Sequence, residues 1–493
     1  MIARGLQSVY IRAMTKKRTI LIMGLGLHGG GAGAANYFSA RGDEVTVTDL
    51  KTEAELEQGI QLVKDRDRIR FVLGRHEYRD FETADLIIKN PGVPPDSPYI
   101  AHARAKGVQV ETDISIFLDL VSGKTDSIIG VTGTKGKSTT ASLLHAILSL
   151  QGHALLAGNI TVSVFDILDE VREDTRIVLE LSSFQLGGLR PRKYSPPVAV
   201  MTNLLDDHLN YYHSREEYFE EKSVIHRFQQ PGELLVLNRD NQVYTMTEGN
   251  RGVNRVSFGV GNDFTGDGSY LDRGMVCYRK GDHSIEVMDS EGIPIPGRHN
   301  LYNILAAVAA AEAMGVESKR IEEGIRRFPG LPHRLEIVPV SGSLRFINDS
   351  AATTPDAAIQ GILSADGPLT LIAGGADKGL ELQGLADTIN RRVEQLVLLE
   401  GSGTERLLTA GLNIPHRLFG TLADALAYAR KSTTPPATIL LSPGFASFGM
   451  FKNEFDRGDQ FRELVLRESG DESRGHPTAD HSEEGHDQGK KRE

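Results

Sequence analysis

One stretch constrains the fold more than any other: SIIGVTGTKGKSTTASLLHAILSLQG, from Ser127 to Gly152, where an apolar segment runs into a glycine turn and then a leucine-bearing helical pattern. Such a strand, turn and helix place backbone N–H groups and a helix dipole around one point, which makes an anion cradle. Lys137 can reach terminal phosphates there, and the Ser138 hydroxyl can ligate Mg²⁺. Gly133, Thr134, Lys135, Gly136, Lys137, Ser138 and Thr139 therefore read as a nucleoside triphosphate site. The spacing departs from the strict P-loop pattern, since Val131 stands five before Gly136 and the leading glycine is Gly133.

Similar alternation recurs on both sides. TILIMGLG, EVTVTDL, RFVLG, ADLIIKNPG and VQVETDI read as strands of a first unit, with helical segments AANYFSARG and YIAHARAKG among them. Strands alternating with helices imply mainly parallel α/β sheets. A chain of 493 residues exceeds what one core supports, and three domains are expected. After an extension over 1–17, these are a Rossmann-like domain over 18–121, a central P-loop ATPase-type domain over 122–330 and a C-terminal Rossmann-like domain over 331–467. The stretch 468–493 is nearly devoid of apolar residues and reads as a disordered tail.

The formal net charge of −11 opposes general nucleic-acid binding, which needs clustered Lys and Arg. Cys277 is the only cysteine, so no intrachain disulfide can form. No apolar run approaches the ~20 residues of a membrane span, and a cytoplasmic monomer without membrane insertion is expected.

In the first unit, Gly24-Leu-Gly26-Leu-His-Gly29 has the look of a dinucleotide fingerprint, with Asp49 where a ribose-binding carboxylate would stand. Alone it is compatible with NAD, with another nucleotide's diphosphate, or with close approach of helix to strand. Glu180, in RIVLELSS, is a carboxylate in an apolar strand, which is costly unless paired or metal-bound. A Mg²⁺ ligand role resolves that cost.

Taken in order, GTKGKST, ELSSFQL, MTNLLDDHLNYY, YFEEK, GRHNLYNILAA, GLPHR, INDS and LLSPGFASFGMFKN resemble the signature segments of the Mur ligase family, from about Arg18 to Arg467. Within the family, ELSSFQL, GRHN and SPGFASF are similar to the D-glutamate-adding branch. The resemblance implies three domains binding UDP, ATP and the incoming amino acid. It also implies ATP-dependent joining of UDP-N-acetylmuramoyl-L-alanine to D-glutamate. The muramoyl carboxylate would take the γ-phosphoryl group of ATP, and the amine would displace phosphate from the acyl phosphate. Catalysis of that kind depends on positioning, Mg²⁺ and cationic groups.

The same resemblance assigns residues. Lys137, Glu180, His208 and Lys222 are the implied catalytic set, and Ser138, Glu180, His208 and Lys222 the metal environment. Lys222 matches a lysine that is carbamylated in the family. A free lysine has a pKa of ~10.4 and would repel Mg²⁺, whereas a carbamate presents oxygen and negative charge. Asn300 and Asn303, beside His299, border the implied adenine site, while Arg334 and Asp349 match residues that hold ATP from the third domain, so closure on substrate is expected. Leu27, His28, Asp49, Lys51, Asn90, Gly92, Asn159, Ser182 and Gln185 match positions for the UDP-linked substrate. Thr353, Lys378 and Ser447 match contacts to the amino acid, where a lysine suits a carboxylate. Ala351 stands where the family has a lysine, and Glu454 where an aromatic residue is usual, with Phe455 one step on.

Other readings are a ligase for L-glutamate or another family member, a folylpolyglutamate-type ligase, and a P-loop ATPase regulator. The additional N-terminal α/β domain opposes the folate type. A regulator would have no need of Lys222 or of the C-terminal motifs.

Overall fold

Short apolar segments long enough for one strand each, separated by helices, build three sheets. The computed structural model describes residues 17–26, 29–94, 96–160, 162–205, 212, 214–247, 252–261, 264–295 and 297–468. The chain divides after Pro329 into two compact units.

The first sheet of unit 1 contains β1 (Thr19–Met23), β2 (Glu44–Asp49), β3 (Ile69–Leu73), β4 (Leu86–Lys89) and β5 (Gln109–Glu111). All pairings are parallel, in the order β3-β2-β1-β4-β5. The chain winds outward to either side from β1 and β4, and this switch in strand order opens a crevice beyond their carboxyl ends. Helix α1 (Gly30–Ala40) follows the glycine turn after β1. Helix α2 (Asp113–Val121) starts at a capping box in which Thr112 and Ser115 exchange hydrogen bonds.

The second sheet contains β6 (Ile128–Thr132), β7 (Ala154–Gly158), β8 (Arg176–Glu180), β9 (Val198–Met201), β10 (Leu234–Asn238), β11 (Asn254–Gly259), β12 (Gly268–Asp272), β13 (Met275–Lys280) and β14 (His283–Asp289). Their order is β14-β13-β12-β11-β10-β9-β6-β8-β7. The pairings are parallel up to β12, and β12, β13 and β14 close the edge as an antiparallel ribbon. Here the switch point falls between β6 and β9. Helix α3 (Lys137–Ser149) leaves β6 through the glycine loop and buries Leu143, Leu144, Ile147 and Leu148 at helical spacing. Helices α4 (Ser183–Leu189) and α5 (Arg215–Arg227) pack together, and the alanine-rich α6 (Arg298–Ala313) packs on α3.

One apolar core runs through both sheets, from Ile22 through Phe117 to Leu179 and Tyr218. Arg192 adds a polar clasp: it bonds Glu111 at 2.8 Å and Asp119 at 2.5 Å. Tyr37 of α1 stacks on Phe165 with centroids 4.9 Å apart. At Gly33 a Cβ would lie 2.1 Å from Ser163 Oγ, so a glycine lets α1 approach that closely.

Unit 2 contains β15 (Glu336–Val338), β16 (Leu344–Asn348), β17 (Leu369–Gly374), β18 (Gln395–Leu399), β19 (His416–Phe419) and β20 (Ala437–Leu441). The order is β15-β16-β20-β17-β18-β19, parallel except for β15. Its switch point lies between β20 and β17, and helix α7 (Glu454–Glu468) covers the β15–β16 side. The fold is thus mixed α/β with parallel-rich sheets, as the alternation in the sequence implies. No described helix is long and apolar enough to cross a membrane.

Candidate active site

The glycine loop after β6 is held open by backbone geometry that only glycine takes easily. Gly136 is the residue before α3 with φ +82°, and a Cβ there would lie 2.1 Å from Asn303 Oδ1. Two residues after β9 fix the other side. Asn203 Oδ1 accepts the Lys135 N–H at 2.9 Å, and the Thr202 hydroxyl donates to the Lys135 carbonyl at 2.6 Å. Thr134 is buried, and its hydroxyl oxygen accepts the Leu205 N–H at 2.9 Å. Ser138 and Thr139 are partly exposed on the first turn of α3.

Two lysines meet at this loop. Lys137 Nζ donates to the carbonyls of Gly133 and Thr134, at 3.1 and 3.0 Å. Lys222 Nζ, from α5, donates to the same Gly133 carbonyl at 2.9 Å. The two amines are therefore within two hydrogen-bond lengths of each other, and like charges so close favour an anion between them. Lys222 is 1% exposed and lies 4.6 Å from the centre of the Tyr218 ring. That ring face partly balances a buried cation.

Glu180 completes the cluster. Register pairs it with Val131 of β6, two residues before Gly133. It is 1% exposed; Oε1 accepts Asn159 Nδ2 at 3.1 Å, and Oε2 is buried without a hydrogen-bond partner. A buried carboxylate oxygen left in that state asks for a cation. Glu180 and the Ser138 hydroxyl are hard oxygen donors, the type Mg²⁺ prefers. Among the described residues no group of three His, Cys, Asp or Glu could cage a metal. His208 lies outside the described residues.

Behind the loop, Asn303 Oδ1 accepts the Thr140 hydroxyl at 3.3 Å and its Nδ2 donates to Asn300 Oδ1 at 3.1 Å. Both asparagines are buried and brace the start of α3. His299 beside them has its pKa lowered by burial. Ser182 and Gln185 form a capping box at the start of α4. The cap uses the Gln185 amide oxygen.

In the crevice of the first sheet, Asp49 caps the glycine turn: Oδ2 accepts the Leu25 N–H at 2.9 Å and Oδ1 the Lys51 N–H at 3.0 Å. Asn90 Oδ1 accepts the Gly92 N–H at 3.0 Å. Lys89 reaches across the same loop to the Val93 carbonyl at 2.7 Å, and burial lowers its pKa to about 8. Leu27 and His28 lie outside the described residues.

In unit 2, Arg334 is exposed. Asp349 is buried: Oδ2 accepts the Ser442 hydroxyl at 2.7 Å and Oδ1 the Leu335 N–H at 3.2 Å. Burial pushes its carboxyl up to about 7, against those hydrogen bonds. Lys378 Nζ donates to Thr353 Oγ1 at 3.1 Å, which brings two of the three sequence-marked amino-acid positions together. The Lys378 pKa is lowered, first by desolvation; Glu454 raises it and Arg457 lowers it further. Ser447 is buried in the loop after β20.

Sequence reasoning did not single out Tyr218, Thr202, Asn203 or Arg457. MTN and YFEEK carried the first three as parts of motifs, but only the paired strands reveal what their side chains hold.

The Mur ligase middle domain matches residues 131–311, and the Mur ligase MurD-like N-terminal domain matches 18–112. The UDP-N-acetylmuramoylalanine–D-glutamate ligase of Roseiflexus sp. (strain RS-1) is 38% identical over 469 residues, covering 90% of this chain and 97% of that protein. The enzyme of that name from Borreliella burgdorferi (strain ZS7) is 35% identical, covering 91% and 98%. Among solved structures, the UDP-N-acetylmuramate–alanine ligase of Thermotoga maritima shares the fold, with a TM-score of 0.60, 20% identity and coverage of 92% and 100%. From its two matched domains and its near full-length relatives, the chain belongs to the Mur ligase family.

Proposed function

We propose that this enzyme joins UDP-N-acetylmuramoyl-L-alanine to D-glutamate at the expense of ATP, in peptidoglycan precursor synthesis. The observation that carries the reading is the cluster at the end of β6, where Lys137 and Lys222 share the Gly133 carbonyl beside Glu180 and its unpartnered oxygen. The Lys137 cation and one open carboxylate, with Lys222 at the same loop, suit a magnesium triphosphate.

The muramoyl carboxylate attacks the γ-phosphorus of ATP, the bond to the bridging oxygen breaks, and ADP leaves. The D-glutamate amine then adds to the carbonyl carbon of the acyl phosphate. Phosphate departs, and the amine proton is lost as the amide forms. Lys137 and the loop N–H groups hold the phosphates while negative charge shifts onto ADP. Asn159, next to Glu180, orients the reacting end of the UDP-linked substrate. Ser138, Glu180 and His208 would hold Mg²⁺, which when bound offsets phosphate charge. Lys222 acts as its carbamate, formed when the neutral amine adds to CO₂ and loses a proton; its burial beside a second amine favours exchanging a cation for an anion. Lys51, Asn90, Gly92 and Gln185 contact the UDP-linked substrate, and Thr353, Lys378 and Ser447 contact the amino acid. The enzyme works in the cytoplasm as a monomer.

The test is purified protein with ATP, Mg²⁺ and UDP-N-acetylmuramoyl-L-alanine, scanned against amino acids for phosphate release and product mass. Phosphate release that depends on D-glutamate is expected. Dependence on L-glutamate alone, or hydrolysis without any amino acid, overturns the reading. Lys222→Ala is expected to lose most activity without rescue by bicarbonate, and near-normal turnover would remove the carbamate from the account.

A further inference from the structure

Arg457, on α7, is the largest side chain among the fully buried residues, at 0% exposure. A guanidinium in such a place normally faces a carboxylate. Instead its partners are neutral oxygens. Nε donates to Ser350 Oγ and Nη2 to the Ser350 carbonyl, both at 2.9 Å, and the terminal nitrogens approach the Phe445 carbonyl at 3.4 Å. Phe451 lies 5.9 Å away across the ring face. Burial lowers the Arg457 pKa to about 10, with Glu454 opposing.

The two groups it grips belong to the loops that carry the amino-acid contacts. Ser350 is three residues before Thr353, and Phe445 two before Ser447. Main-chain bonds also tie these loops, from Gly444 N–H to the Ala352 carbonyl at 2.9 Å. The Ser350 hydroxyl passes the restraint on, donating to the Glu454 carbonyl at 2.7 Å. Beside the guanidinium is a small cavity lined by Gly375, Glu400, Ser447 and Phe451.

We propose that Arg457 is a positioning residue for the incoming amino acid. It clamps the Ser350 loop to the Phe445 loop so that Thr353 and Ser447 face one ligand. The proposal rests on the amino-acid role given to unit 2 above.

The test is steady-state kinetics with each of the three substrates varied in turn, on the wild type, Arg457→Lys, Arg457→Met and Ser350→Ala, with Arg467→Gln on the exposed last turn of α7 as control. Charge-assisted hydrogen bonds of this kind and displaced ligand contacts lead us to expect the KM for the amino acid to rise about ten-fold in Arg457→Lys and about a hundred-fold in Arg457→Met. Ser350→Ala should raise it about three-fold, as one bond of the set is lost. The KM values for ATP and the UDP-linked substrate should stay within about two-fold in all variants. An unchanged amino-acid KM in Arg457→Lys and Ser350→Ala overturns the proposal. So does an equal rise for all three substrates, which is the mark of a merely structural residue. If Arg457→Met fails to fold, the other two variants decide. A wild type that uses no amino acid would instead sink the proposed function, a separate outcome.

Discussion

The carboxyl end of β6 and the carboxyl ends of β17 and β20 both gather buried charge, and they balance it in opposite ways. At β6, Glu180 keeps one oxygen without a partner while two amines meet at a single carbonyl. At β20, Arg457 spends its N–H groups on Ser350 and Phe445 within its own unit. The first arrangement is incomplete by design of its charges, and a ligand finishes it. The second is finished before any ligand arrives, and its product is the shape of two loops. Removing charge from the first should therefore cost activity and spare stability, whereas removing it from the second should cost both.

The sharpest way to break this contrast is Lys137→Ala, expected to lower kcat/KM about a thousand-fold, as when a positioned charge-stabilising donor is removed. Glu180→Gln should lower it at least about a hundred-fold, and thermal melting without nucleotide should stay level or rise, since an uncompensated buried carboxylate becomes neutral. A drop in melting temperature for Glu180→Gln would mean that the protein alone satisfies that oxygen.

Stability effects come next. Gly136→Ala places a side chain at φ +82° and 2.1 Å from Asn303 Oδ1, which should cost about 2–4 kcal/mol by urea unfolding. Arg192→Met removes the clasp to Glu111 and Asp119, whose side chains are 15% and 21% exposed. Discounted for that exposure, the loss should be about 2 kcal/mol.

The last expected effect is a pH slope. The Asp349 carboxyl is raised from 3.8 to about 7 by burial. Between those values the folded chain holds a proton that the unfolded chain has released, so stability falls as pH rises from about 4 to about 7. Asp349→Asn should flatten that part of the pH–stability curve. An unchanged slope would show that the carboxylate is ionised in place, with Ser442 and the Leu335 N–H satisfying its charge.

Why one of these regions was legible in the sequence and the other was not follows from chain distance. Gly133 to Ser138 are contiguous, so the loop's chemistry can be read from spacing, and the apolar runs on either side declare strand and helix. Glu180 stood out as a carboxylate in an apolar strand. Lys222 stood out only through the family resemblance, since by itself it follows two glutamates in a polar helix and reads as solvated; the packing of α5 turns it inward to Gly133. Arg457 was silent, because Ser350 lies 107 residues before it. Asp49 and Asn90 were found by their positions after strands, but the internal bonds that hold their oxygens depend on turn geometry that spacing does not encode.

The clasp at Arg192, with Tyr37 stacked on Phe165, has a consequence for what the enzyme accepts. Lys51 and Asn90, beyond the first sheet, and Glu180, beyond the second, belong to one compact unit. In the function proposed above, the span between the nucleotide held at Lys51 and Asn90 and the carboxylate that meets phosphorus near Glu180 is thus set by the protein, like the jaws of a gauge.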